Sequence, residues 1–220
     1  MSSCSASTPP PSSPSATAIP SAPAPTPTPL PPDTLTVAVL SAGVGTFDLA
    51  AIPVATLENR ARFHGAASVV VHFVTQRSGR TLGSLDSAPV NLAPGETLAV
   101  TADCTDACDG ATSVNATVSV ATWPTTIGAV FPTSGGAYSC HPCRPGHGYG
   151  NVSGTLIPSS AIDSGGAVVS FAVCRTASGA ILGGGSEQFV WPGGGSLAVV
   201  VPVVVNAPPA ACTLGASTGW

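Results

Sequence analysis

One stretch that occurs twice constrains this chain more than any other feature. The first copy is Val90-Asn-Leu-Ala-Pro-Gly-Glu-Thr-Leu-Ala-Val-Thr-Ala-Asp-Cys104 and the second is Phe189-Val-Trp-Pro-Gly-Gly-Gly-Ser-Leu-Ala-Val-Val-Val-Pro-Val203. Each sets a Pro-Gly pair, Pro94-Gly95 and Pro192-Gly193, between two apolar runs. Proline presets the first central φ of a turn and glycine accepts a positive φ at the next position, so each copy reads as strand, tight reversal, strand. A duplicated β unit is expected, and architecture is more legible than activity.

The echo extends beyond the turn. Ser178-Gly-Ala-Ile-Leu-Gly183 repeats Ser78-Gly-Arg-Thr-Leu-Gly83, and Val169, Phe171 and Val173 repeat Val69, Val71 and Phe73. Alternation puts Val69, Val71 and Phe73 on one face of a strand and His72 on the other. Leu35 to Leu40, Val54 to Phe63, Ser68 to Val74 and Asn115 to Trp123 are further expected strands. No segment of helical length free of Gly and Pro shows a helical apolar rhythm. The fold class is therefore all-β: two tandem immunoglobulin-like β-sandwiches, 34–123 and 125–220, behind a disordered Pro/Ser/Ala/Thr-rich linker, 1–33.

That linker buries too little apolar surface to offset the entropy of ordering it. Its proline runs favour polyproline II, giving a stalk of up to about 90 Å. Met1-Ser-Ser-Cys4 resembles the tail of a bacterial lipobox, which makes Cys4 a lipidation candidate and implies an export signal upstream of Met1. The longest apolar run, Leu197 to Val205, contains Pro202 and is about half the length of a spanning helix. Charged residues are 7% of the chain, lysine is absent and the net charge is −4. Without a basic patch, nucleic acid is not an expected partner. Seven cysteines suit an oxidising compartment, so an extracellular or cell-surface location is expected, with membrane contact only through a lipid at Cys4.

The order strand, Ser-Gly turn, short strand, Leu-Ala-Pro-Gly-Glu-Thr and final apolar run resembles bacterial extracytoplasmic modules of the FxLYD type and other immunoglobulin-like repeats. The resemblance covers 68–104 most closely and 168–203 next. It departs at Phe73-Val-Thr-Gln76 and Phe171-Ala-Val-Cys174, where the family carries an aromatic-Tyr-Asp element. It implies a sandwich fold and a surface location, and brings no catalytic residues with it.

Chemistry concentrates in the cysteines. Beyond Cys4, spacing suggests the pairs Cys104–Cys108, Cys140–Cys143 and Cys174–Cys212, among many pairings that six cysteines allow. The last would stabilise the C-terminal segment by about 3 to 4 kcal/mol in the chain-entropy model. One alternative is zinc held by Cys140 and Cys143 with Cys104 and Cys108; another is a redox dithiol at Cys140 and Cys143. Asp103, Asp106 and Asp109 read as a solvated acidic turn, since their spacing is not that of a calcium loop. His64 and His72 lack a paired acid in sequence, and Glu58, Glu96 and Glu187 lie in separate segments. Asn115-Ala-Thr and Asn151-Val-Ser match the glycosylation sequon.

The loop from Tyr138 to Gly150 has no counterpart in the first copy, so Tyr138, His141, Arg144, His147 and Tyr149 form the expected binding loop. Trp123, Trp191 and Trp220, with Tyr138 and Tyr149, would be the platform of a carbohydrate-binding module, the main functional alternative; core filling is the default use of these rings. The expectation is a non-catalytic protein without cofactor or metal, with a structural or binding role toward a protein or glycan at the cell surface.

Overall fold

Strands begin where the prolines give way to Val, Thr and Ala. The computed structural model describes residues 32–47, 50–104, 108–144 and 147–218, with the backbone alone for 50, 141–144 and 147. It is all-β, with no α-helix among the described residues, as suits a chain whose β-branched runs are broken every few residues by Gly or Pro.

In the first half, β1 (Val37–Phe47), β2 (Ala50–Asn59) and β6 (Thr97–Thr101) form one antiparallel sheet in the order β1-β2-β6. β3 (Ala66–Arg77) centres a second sheet, flanked by β4 (Arg80–Asp86) and β5 (Val90–Leu92) and by β7 (Ser113–Thr122). The second half contributes β8 (Val130–Arg144), β9 (His147–Leu156), β10 (Ala167–Arg175), β11 (Ile181–Val190), β12 (Leu197–Val205) and β13 (Ala211–Thr218). These six close into a barrel, β10-β11-β12-β9-β8-β13.

The repeat is visible in the pairing. β8-β9-β12 follows the order of β1-β2-β6, and β11-β10-β13 follows that of β4-β3-β7. Two ladders distinguish the copies: β13 pairs with β8, and β11 meets β12 at Gly183↔Val205 and Gly184↔Val204. The second copy is thereby a closed barrel, where the first leaves two separate sheets. The expected strand Val54 to Phe63 runs instead from Ala50 to Asn59, because the Asn59 side chain turns the chain there. The hairpin Arg77-Ser78-Gly79-Arg80 turns through two positive φ values, 50° and 78°, the geometry that matches strand twist.

Val69, Val71 and Phe73 are fully buried in the first core with Leu57, Leu92 and Val100. Their echoes behave otherwise. In β10 the barrel interior receives Val168, Ala172 and Cys174, while Phe171 joins the first half's core and Val173 packs on Val54 and Ala99. A one-residue change of parity sends every side chain of a strand to the opposite face. β10 is thus apolar on both faces and welds the halves together, and Asp33–Trp220 forms one compact unit.

Glycines set how closely the halves approach. A Cβ on Gly45, or on Gly183 at φ 147°, would fall on the carbonyl oxygen of Val204. Polar bonds frame the seam. Asn206 accepts from the Thr46 amide at 2.7 Å and donates to the Val44 carbonyl at 2.7 Å, while Arg175 donates to the Thr56 hydroxyl at 2.5 Å and the Ser41 hydroxyl at 3.4 Å.

Gly45→Ala and Gly183→Ala should each lower the unfolding free energy by about 1 to 3 kcal/mol through overpacking. Gly135→Ala, where a Cβ meets nothing within 4 Å, should be near neutral in the same urea titrations.

Candidate functional site

The Pro94-Gly95 turn is organised by a side chain at the end of β2. Asn59 is fully buried, and its amide nitrogen lies 3.0 Å from the His64 carbonyl, 3.2 Å from that of Leu92 and 3.0 Å from that of Ala93. Its amide oxygen accepts from the Ala61 N–H at 3.0 Å. A buried amide must find such partners, and in doing so this one joins three chain segments. Gly95, at φ 71°, donates to the Asn59 backbone carbonyl. The Glu96 carboxylate accepts from the Ala93 N–H at 2.6 Å. Burial pushes the Glu96 carboxyl up to about 7, against the opposing pull of that Ala93 bond.

Beside the turn lies a hollow of ≈ 390 Å³ whose walls include Pro94, Glu96, Phe131, Pro132, Thr133 and Ser159. It runs into a second of ≈ 420 Å³ walled by Pro132, Ser134, Thr155, Ile157 and Pro158. The second exists because a ladder opens. β8 and β9 pair from Arg144↔His147 to Ala137↔Ser153, and the chains meet again where Ser159 N–H donates to the Val130 carbonyl at 2.8 Å. Pro132 and Pro158 lie between these points, and proline has no N–H to give a ladder. The Ser134 hydroxyl is buried in this wall without a partner, and Ile157 is 62% exposed at the rim. Apolar walls with a few polar groups make a groove suited to holding an apolar group.

The expected binding loop has a different form. Residues 138–144 and 147–150 are the ends of β8 and β9 where the two strands pair, with Cys140 opposite Gly150 and Cys143 opposite Gly148, and the β1–β2 pair is their counterpart in the first copy. A hairpin sends alternate side chains to opposite faces. Tyr138 packs against the barrel core, where a Cβ on Gly148 would stand 2.6 Å from its hydroxyl and burial raises its phenol. Tyr149 is on the other face, 43% exposed. The side chains of His141, Arg144 and His147 lie outside the described residues, as do Cys4, Asp106 and Trp220.

Cys104 is joined to Cys108, and Cys174 to Cys212. Cys140 is also disulfide-bonded, while the Cys143 side chain lies outside the described ones. Sulfurs in a disulfide offer no thiolate, so the four-cysteine zinc arrangement is not present, and no group of three or more His, Cys, Asp or Glu side chains converges among the described residues. Asp103 and Asp109 are both exposed. Cys174 and Cys212 face each other across β10 and β13, with Cα atoms 4.1 Å apart.

Both histidines have acids, contrary to their appearance in sequence. His72 meets Asp86 directly across β3 and β4. The His64 Nδ1 lies 2.8 Å from Asp33, which also accepts from the Arg62 and Phe63 amides. The hydrogen bond from His64, then that from Arg62, hold the Asp33 carboxyl below its ordinary value. Asp33, expected to end the linker, is anchored to the folded unit by these bonds. Trp191 is fully buried, edge-on to Phe131 at 5.7 Å and 61°, so it offers no sugar-stacking surface. Trp123 lies at the margin of the first core. Glu58 is paired with Arg60 at 2.8 Å. Sequence reasoning missed Asn59 and the groove; Pro132 and Pro158 were its available signal.

Because the folded state holds the Glu96 proton more tightly than the unfolded chain, stability should fall as pH rises from about 4.5 to about 7. The loss should be about 2 kcal/mol, less than the bare shift implies because water reaches part of the carboxyl. Glu96→Gln should flatten that slope in denaturant titrations. Replacing Cys174 and Cys212 together by Ser should cost about 4 kcal/mol, and Cys104 with Cys108 about 2 kcal/mol, in the loop-entropy model.

No protein-family model, curated protein sequence or solved structure matches the chain.

Proposed function

We propose that the chain is a non-catalytic exported protein, secreted or displayed at the cell surface, with a structural or ligand-presenting role toward a protein or glycan. In this reading its halves are tandem immunoglobulin-like sandwiches similar to the FxLYD-type modules, the second drawn shut into a barrel, and any membrane contact is through a lipid at Cys4. The observation that carries the proposal is the buried Cys174–Cys212 disulfide, accompanied by Cys104–Cys108. Structural disulfides persist in oxidising compartments. The groove beside Pro94-Gly95 supports the binding half of the proposal, because a rigid β scaffold carrying an apolar recess fixes a ligand group at little entropic cost.

Protein purified without reductant, denatured and alkylated, should show no reactive thiol among Cys104, Cys108, Cys174 and Cys212 by intact mass and peptide mapping. Stoichiometric alkylation of Cys174 and Cys212 would overturn the exported reading.

A further inference from the structure

The groove beside the Pro94-Gly95 turn is apolar along most of its length and ionisable at one place. Its inner hollow lies where β8 and β9 part, between the Ala137↔Ser153 pair and the bond from Ser159 to Val130. Strand contacts bound that opening at both ends, so it has room for one apolar group and not for a chain that continues through. Pro132, Ile157 and Pro158 supply its apolar wall. The outer hollow shares Pro132, Thr133 and Ser159 with it and adds Glu96. The Thr133 hydroxyl already donates to the Thr97 carbonyl at 3.3 Å, and the Ser159 hydroxyl accepts from the Val130 N–H at 3.2 Å. Among the described residues lining the two hollows, Glu96 is the only ionisable side chain.

We propose that this groove binds a small cationic amphiphile, its apolar body between Pro132 and Ile157 and its ammonium head against the Glu96 carboxylate. This names the ligand class for the binding role proposed above and rests on it. Charge complementarity selects the cation. The half-buried Glu96 carboxylate accepts from the Ala93 N–H and forms no ion pair among the described residues. Of the charged side chains around the turn, Glu58, Arg60 and Arg62 line the hollow on its other side, and Glu58 and Arg60 are paired with each other. β5, β6 and the near end of β8 bring none. A desolvated carboxylate without a counter-ion gains most from a cation that arrives with its own apolar cover. An anion would meet Glu96 as a like charge, and a sugar would find no exposed ring to stack on, since Phe131 is buried. Apolar walls with one placed polar group are the usual form of a small-molecule site. Because burial holds the Glu96 carboxyl up to about 7, the carboxylate that attracts the ammonium is mostly absent at pH 6 and mostly present at pH 8. Binding should therefore tighten about tenfold across that interval.

Titration calorimetry with hexylammonium chloride tests this, with hexanol and hexanoate as probes of the same length. At pH 8 the ammonium should bind with a Kd on the order of 1 mM, and the alcohol and carboxylate at least roughly tenfold more weakly. In amide NMR spectra the shifts it induces should centre on Glu96, Thr133 and Ile157. Glu96→Gln should remove both the preference for the ammonium and its pH dependence. Ile157→Ser, at an exposed position, should weaken the ammonium and the alcohol alike. Melting curves like the wild type's establish that both variants fold. No saturable binding in the millimolar range, equal binding of hexanoate, shifts centred elsewhere, or unchanged affinity in folded Glu96→Gln would overturn the proposal. Failure of the ammonium to bind a protein whose Cys174 and Cys212 are paired would leave the exported reading standing, whereas binding by a protein with both thiols free would do the reverse.

Discussion

The approach of Gly45 and Gly183 to the Val204 carbonyl is the constraint on which the rest of the structure depends. Backbone meets backbone there, with no room for a methyl group on either glycine. Separating the halves would make room at Gly45 but not between Gly183 and Val204 within the barrel, and it would withdraw Phe171 from the first core and Val173 from Val54 and Ala99. It would also lengthen the bonds from Arg175 to Thr56 and from Asn206 to Val44. Partial burial lowers the pKa of the Arg175 guanidinium, and its bonds to the Thr56 and Ser41 hydroxyls offset part of that lost hydration.

The two Pro-Gly turns show how one local motif is held by different means. In the first copy the turn closes over the Asn59 amide, which binds the carbonyls on either side of it. In the second, Trp191 occupies the place of Ala93; its indole fills the barrel against Phe131, and its backbone exchanges bonds with Gly165 and Gly166. A polar hub suits the crevice between two separate sheets, where several chain ends converge. A large ring suits a closed barrel, whose interior must be filled.

Much of the fold was legible because it is local. Alternation in Val69, Val71 and Phe73 identified a strand and its buried face, and the spacing of Cys104 and Cys108 or of Cys174 and Cys212 suggested their pairing. What was not legible depended on partners distant in sequence. The same alternation in Val169, Phe171 and Val173 carries no mark of which of two apolar faces looks inward, since both are covered. Asp33 and His64 are thirty-one residues apart, and nothing in either segment announces the other. The stretch 138–150 read as a loop because its glycines and prolines break strand propensity, yet the ladder to β12 and the packing of Tyr138 over Gly148 hold its described residues, 138–144 and 147–150, in paired strands. Tertiary pairing commonly overrides propensity in this way. The groove lies where two prolines defeat that pairing, and so belongs to the register between strands more than to any one segment.

Closure of the second half also sets an order of events during synthesis. β13 pairs with both β8 and β10, so the first strand of the barrel waits for the last one to emerge. Cys104 can find Cys108 as soon as both have emerged. Cys174 must stay reduced, or be reshuffled, until Cys212 arrives thirty-eight residues later. A terminated chain lacking its final strand would present an open barrel and the unpaired Cys174 thiol together.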